Sequence, residues 1–447
     1  MTARILDGRH FARVAFTAFA LLALPASRAA AQGPAPGTAK ALFAELISNR
    51  LIDSQGAPGA GGRTQDLIDE FSKSIAIGVA TAPVGASSAG FTYEFDRSTG
   101  ERTLRSQSFG PLFVERPLTN GKGVFNVGAN FTYVNYEKFL GDDLNTRGIQ
   151  IFDNRVRFLD TNFEQFITEY IAVTPKVSTL NAVASYGLTR SLDVGIVVPF
   201  STIDIDARRY WDYDISRSFP FLTGAERAAY AGQPKGTGFV PQDGNPNTGT
   251  VSASGVGDIT LRAKYAFGSA TQRAALIVDT RLPTGDADNF LGTGKASVRA
   301  GLSASAAITS TVSLNANGGY RTGGLTSEGD YGVALDAALL SSRKLTASVE
   351  FFGQYLSEAI NGISQIQNGP IRLNSSLGGQ PVQVTYQASE PVFDLGSVSV
   401  LRGAAAVKYN IAGKWLLTAG VLFPLNDTGL TGSTTAFVGF DLSLFGK

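Results

Sequence analysis

Candidate chemistry in this chain begins with oxygen ligands and charged side chains. Asp286, Asp288 and Asn289 fall in one short stretch and offer the hard oxygen donors that calcium takes. The rest of a calcium-loop spacing is missing, so the stretch predicts turn chemistry, in which Asx side chains bond nearby backbone amides. Gly292-Thr293-Gly294-Lys295-Ala296 brushes against a phosphate loop but lacks the first Gly and the Ser or Thr after Lys, and is rejected as one. Chemistry that needs His or Cys is excluded more broadly, so a barrel enzyme would have to use carboxylate or Lys chemistry. The 447 residues contain no Cys, and the one His, His10, lies in the leader described below. Ser–His and Cys–His pairs and His- or Cys-ligated metals therefore have no residues to use. No enzymatic activity and no cofactor are expected. What remains is a set of charges at alternating positions: Asp258, Arg262, Lys264, Asp279, Arg281, Arg299, Arg321, Asp336, Glu350, Arg402, Lys408 and Asp441. They read either as a polar pathway or as cross-strand ion pairs that fill an interior. Arg262, Asp279, Arg281 and Arg299 cluster on three adjacent strands, and with Arg321, Asp336, Glu350 and Arg402 they form the pore-lining candidates.

The elements that place these charges are two-faced strands. Ile259, Leu261, Ala263, Tyr265 and Phe267 alternate with Asp258, Thr260, Arg262 and Lys264. Leu276, Val278 and Leu282 oppose Asp279 and Arg281, and Val298, Ala300 and Leu302 oppose Ser297, Arg299 and Gly301. Side chains of a strand point to opposite faces with period two. Runs of this length suit the roughly 9–11 residues with which a tilted strand crosses a bilayer. Composition agrees: charged residues make up 17% of the chain and Gly numbers 51, while no run of about twenty apolar residues exists to form a spanning helix.

The start of the chain reads as a signal peptide over residues 1–31. Arg4, Arg9 and Arg13 precede the apolar run Val14–Leu24, and Ala29-Ala30-Ala31 follows as a small-residue cleavage site. Its removal takes away four Arg and Asp7, so the formal charge falls from +1 to −2, and no basic block suggests nucleic acid as a partner. Residues 32–88 carry two amphipathic helical patches, Leu42, Phe43, Leu46, Ile47 and Leu51, then Leu67, Ile68, Phe71 and Ile75, joined by the Gly-rich linker 56–62. An apolar helical face needs a cover, so this segment reads as a plug in the lumen, with a periplasmic tether as the other reading. Residues 89–447 are the barrel. About fourteen antiparallel strands are expected, beginning with Phe91–Phe95 and a return strand from Arg102 toward Phe113.

Connections alternate in length. Short ones fall at 189–191, 268–272, 309–311, 341–344 and 410–414, and long ones at 203–254, 283–294, 322–330, 357–396 and 424–432, the pattern of short periplasmic turns and long external loops. Aromatics flank both ends, Tyr186, Phe267, Tyr409 and Trp415 beside short turns and Phe200, Tyr320, Tyr331, Tyr355 and Phe423 beside long loops, as two interfacial girdles would. Loop 203–254 carries Tyr210, Trp211, Tyr213, Phe219, Phe221 and Tyr230, which either capture apolar ligands or pack on one another. Thr223 and Glu226 there have capping-box spacing. The last strand, Ala436 to Phe445, is apolar on one face and resembles the signal read by barrel-insertion machinery.

Seven segments carry a family resemblance: Gly90–Asp96, Ser108-Phe109-Gly110-Pro111-Leu112-Phe113-Val114-Glu115-Arg116, Tyr186–Thr189, Leu192–Pro199, Gly257–Tyr265, Arg281–Asp286 and Val421–Asp427. Together the chain resembles the outer-membrane transporters grouped under the meta-pathway of phenol degradation. That resemblance implies a Gram-negative outer-membrane barrel that takes up small hydrophobic or aromatic compounds, by analogy with fatty-acid and toluene channels. The alternatives are a general diffusion porin and a structural or anchoring barrel without transport. The expected partners are outer-membrane lipid, the insertion machinery and a small hydrophobic ligand.

Overall fold

The computed structural model describes residues 37–48, 60–80, 85, 93–95, 102–104, 108–239, 248–269, 272–340 and 344–445. The expected leader, and residues 49–59 with the start of the expected linker, lie outside the described residues. Alternating sequence becomes a closed wall of β1 (Val124–Phe139), β2 (Phe163–Gly187), β3 (Leu192–Asp214), β4 (Thr260–Gly268), β5 (Gln272–Arg281), β6 (Ser297–Ala307), β7 (Val312–Gly323), β8 (Glu328–Leu339), β9 (Leu345–Leu377), β10 (Gln380–Ile411), β11 (Trp415–Pro424) and β12 (Thr435–Phe445). Each pairs antiparallel with the next. The ring closes where β12 meets β1, from Phe437 opposite Thr132 to Phe445 opposite Val124.

Twelve strands form this ring, not about fourteen. The two supposed first strands account for the difference. Tyr93–Phe95 pairs with Arg102–Leu104 in a separate two-stranded sheet. Residues 108–123 are irregular and enter the lumen, because Leu112, Phe113 and Val114 are consecutive, buried and apolar and have no polar face to alternate with.

The outward face is apolar. Leu302, Val349 and Val438 are each more than half exposed, and Phe267, Tyr409 and Trp415 near the short turns, with Phe200, Tyr320, Tyr331 and Tyr355 toward the long connections, stand outward as two aromatic rings. Water would penalise such a surface, whereas hydrocarbon with aromatic-rich boundaries accepts it.

Beyond the long-connection end the wall continues on one side only. β2, β3, β9 and β10 overshoot, and the expected loops 203–254 and 357–396 are largely their extensions. Strand Ile149–Phe158, within the expected loop 138–162, joins β2 to β10 there. Strand Thr248–Val256 pairs with the upper part of β3. The prolines sit where partners change. Pro175 falls between the Ile171 and Lys176 pairings of β2, and Pro199 between the Val197 and Phe200 pairings of β3. A residue with no N–H is tolerated where one ladder stops and another begins.

Helices α1 (Ala39–Ser48) and α2 (Ala60–Ala80) lie against inward side chains of this half. Phe43, Leu46, Ile47, Leu67, Ile68, Phe71 and Ile75 are buried with Tyr136, Phe139, Ile171, Val173, Ile203, Ile205, Phe290 and Leu430 in one cluster. Phe71 meets Phe43, Phe139 and Phe393 with ring centroids 5.3, 5.7 and 6.4 Å apart. This is the largest described hydrophobic core, and it fills the half of the lumen beside the long connections.

Candidate lumen site

The short-turn half is filled by backbone rather than helix. Residues 108–120 run across it, and the wall grips the segment through groups of both signs. Glu350 on β9 accepts the amides of Leu112, Phe113 (2.8 Å) and Val114 (2.8 Å). Lys408 on β10 donates to the carbonyls of Pro111 (2.6 Å) and Phe109 (3.4 Å). Glu115 then reaches β4, pairing with Arg262 and with Lys264 at 2.9 Å, while Lys264 also donates to the Arg116 carbonyl at 3.1 Å. At the segment's end Asp193 accepts the Asn120 amide at 2.7 Å. Gly110 makes the entry possible. Its φ is +73°, and a Cβ there would lie 2.2 Å from Nε of Arg116, whose guanidinium folds back to the Ser108 carbonyl.

Above this segment, charges bridge neighbouring strands in a belt. Register places Arg262 opposite Asp279, Asp279 opposite Arg299 and Arg321 opposite Glu328. Arg262 holds Asp279 through two bonds, of 2.5 and 2.9 Å. Arg299 contacts Asp279 at 3.5 Å and lies across Gly301 and Gly319 to reach Asp330 at 2.5 and 2.6 Å. Arg321 meets Glu328 at 3.4 Å, and Gln354 links Glu328 (2.9 Å) to Arg402 (2.7 Å). The belt thus spans β4 through β10. Burial of such pairs is offset by lost hydration, so its main physical effect is to fix geometry, although removing one partner is costly.

Between belt and floor lies a cavity of about 170 Å³, lined by Phe113, Val114 and Glu115 of the floor segment, by Phe352, and by Arg262, Asp279, Arg281, Arg299 and Arg321. A second cavity of about 90 Å³ adjoins it and is lined by Val79 and Ala80 of α2 with Phe290 and Leu291. Val197, Thr260 and Arg281 line both.

Five of the sequence candidates (Arg262, Asp279, Arg281, Arg299 and Arg321) therefore meet at one cavity. Arg402 ends the belt. Asp336 and Glu350 lie deeper, Asp336 bonded to Asn315 and Glu350 covered by residues 112–114. Sequence reasoning left out Glu115 and the whole floor segment. The available signal was the break in alternation from Gly110 to Glu115, inside a motif already singled out for resemblance.

Asp258 also has a different job. It accepts Gly285 N (3.1 Å), Thr293 N (2.8 Å) and Thr293 Oγ1 (2.7 Å), and so ties down loop 283–294. Asp286 bonds the amides of Asp288 and Asn289, which is turn chemistry as expected. The loop in turn holds α1: Asn289 accepts the Ala39 amide at 3.1 Å, Asp288 pairs with Lys40 at 3.2 Å, and Phe290 stacks on Phe43 at 5.7 Å. Asp258→Ala should cost about 2–3 kcal/mol through the three lost bonds. Amide exchange at Ala39 and Lys40 should rise while exchange in β4–β8 stays slow, and unchanged exchange at Lys40 would refute this linkage.

The outer aromatics pack on one another. Trp211, Tyr213 and Tyr230 lie 5.2–6.2 Å apart, and the Tyr213 hydroxyl donates to the Tyr230 carbonyl. Burial pushes the Tyr230 hydroxyl above its usual range. Phe219 packs beside them, whereas Tyr210 meets Tyr170 edge-on, with Arg147 over both rings. Phe221 is 56% exposed and rests on the Gly378 turn. Below them Thr223 and Glu226 form the expected capping box on α3 (Gly224–Ala229), and the Thr223 amide, donating to the Glu226 carboxylate, holds that carboxyl low.

Three solved structures illustrate the likeness. An outer membrane channel from Pseudomonas putida F1 is 12% identical over 73% of this chain and 97% of its own, with a TM-score of 0.40. The KdgM porin is 8% identical over 66% and 99%, at 0.32. A monoaromatic hydrocarbon channel, CymD, is 10% identical over 73% and 90%, at 0.27. No curated protein matches the sequence. Residues 200–370 match the family model described as "Putative MetA-pathway of phenol degradation", so the chain resembles that family as its motifs indicate.

Proposed function

We propose that the chain is an outer-membrane channel for small hydrophobic or aromatic compounds, and that it carries out no covalent chemistry. The observation that carries this reading is the mid-lumen cavity, which sets the rings of Phe113 and Phe352, 5.3 Å apart, beside a polar belt. Its volume of about 170 Å³ is near that of the apolar cavity of about 150 Å³ that takes up benzene. The apolar outward band and its two aromatic rings support an outer-membrane site, with short turns toward the periplasm and β12 engaging the insertion machinery. Residues 32–88 act as a plug in the outer half of the lumen. Vesicles with a lipopolysaccharide outer leaflet test the proposal. Benzyl alcohol should enter faster with the protein than without it, and sucrose should not. Sucrose entry would instead favour a diffusion porin, and no entry of either solute an anchoring barrel.

A further inference from the structure

Among the described residues three lumen-facing wall cations, Arg281, Arg402 and Lys408, have no carboxylate within salt-bridge distance; Arg402 bonds Gln354 and Lys408 bonds backbone carbonyls, and of the three Arg281 lines the larger cavity. Arg262, Lys264, Arg299 and Arg321 all contact carboxylates, but among the described residues none lies within salt-bridge distance of Arg281. Asp258, in the neighbouring cavity, spends its oxygens on Gly285 and Thr293. Arg321 stands close enough for its charge to repel that of Arg281. With Arg402 at its end, the belt therefore carries six cations, Arg262, Lys264, Arg281, Arg299, Arg321 and Arg402, against the four carboxylates Glu115, Asp279, Glu328 and Asp330. Arg281 is only half-buried, and an anion that reaches its unpaired guanidinium gains a charge-assisted pair. Arg281 lies where the two cavities meet, and the larger one has an aromatic wall, Phe113 and Phe352.

We propose that this cavity binds a one-ring aromatic carboxylate, with its carboxylate on Arg281 and its ring against Phe113 and Phe352. The inference rests on the channel reading and narrows its substrate class. The guanidinium fork matches a carboxylate through two parallel bonds, and the ring wall favours an aromatic body over an aliphatic acid of similar charge. A neutral ring meets the wall but leaves Arg281 without its counter-charge.

Calorimetric titration of the full mature protein in detergent, with benzoate, benzyl alcohol and acetate as probes, tests this. Benzoate should bind saturably at one site, with benzyl alcohol and acetate each weaker by about tenfold or more. Arg281→Gln should weaken benzoate by about tenfold or more, with an unchanged far-ultraviolet circular dichroism spectrum reporting that the barrel is intact. Arg281→Lys keeps the charge but loses the two-bond fork, so it should recover only part of the benzoate affinity lost in Arg281→Gln. Equal affinity for benzoate and benzyl alcohol, unchanged benzoate binding in Arg281→Gln, or no saturable binding would overturn the proposal. The channel reading fails separately. Faster benzyl alcohol entry without benzoate binding leaves the channel and removes this site; benzoate binding without solute entry does the reverse.

Discussion

Glu350→Ala should lower stability by about 3–5 kcal/mol, the cost of removing one partner from a buried charged arrangement. The carboxylate is 3% exposed and satisfies three consecutive amides of the floor segment. Each donor left without water or a partner costs about 1–3 kcal/mol, and relaxation of the segment recovers part of that sum. Lys408, which holds the carbonyls of the same segment, would also lose one of the opposing charges around it, Asp441 and Asp336 remaining. Glu350→Gln keeps the side chain's size and one acceptor oxygen, so its effect should be about half as large. The midpoint of unfolding in denaturant would read the cost, and trypsin cleavage after Arg116 would read release of the segment. Lys138→Ala is the control. Its pair with Asp427 is 2.7 Å long but about half exposed on both sides, and such pairs contribute at most about 1 kcal/mol. If Glu350→Ala behaves like Lys138→Ala, the floor is not held by that carboxylate.

The wall was legible because a membrane strand repeats one simple instruction, apolar outward and polar or small inward, over about ten residues. Arg262, Asp279 and Arg299 could be assigned inward from that period alone, and their mutual contacts follow once register brings them opposite one another. The floor was not legible for the same reason. Phe109 to Glu115 meets wall on all sides inside the lumen, so burial imposes no period on it, and its stability comes from Glu350 and Lys408, which lie more than two hundred residues away in sequence. The overshooting strands were legible only in part. Ile371, Leu373, Val382, Val384 and Tyr386 around Gly378-Gly379 read as an external hairpin, and Leu377 does pair with Gln380 across that turn, but the continuity of this hairpin with the wall strands β9 and β10 did not show in a mostly exposed stretch. The role of Asp258 was hidden similarly: its alternation is that of a lumen charge, but residues 257–259 leave the ladder between the Val256 and Thr260 pairings, and its carboxylate bonds loop 283–294.

Opening the lumen should require two changes together. The helices fill the half beside the long connections with a buried apolar core, and residues 108–120 fill the half beside the short turns. Two barriers in series add, so removing one leaves the current limited by the other. In planar bilayers the mature chain should therefore be close to silent. Deleting residues 32–80 should leave it nearly so, because Glu350, Lys408 and Glu115 still hold the floor. Glu350→Ala alone should do no better, because the core around Phe43, Phe71 and Phe139 excludes ions whatever happens beneath it. The combination should give a steady current of far larger amplitude. The closed strand ladder is the part of the fold that survives both changes, since no wall pairing passes through either block. A large current from the helix deletion alone would show that the floor is no seal. Silence of the combined variant, with the barrel folded, would place the barrier in the charged belt itself. That outcome would remove the plug from the mechanism, because the belt spans β4 to β10 without help from either block.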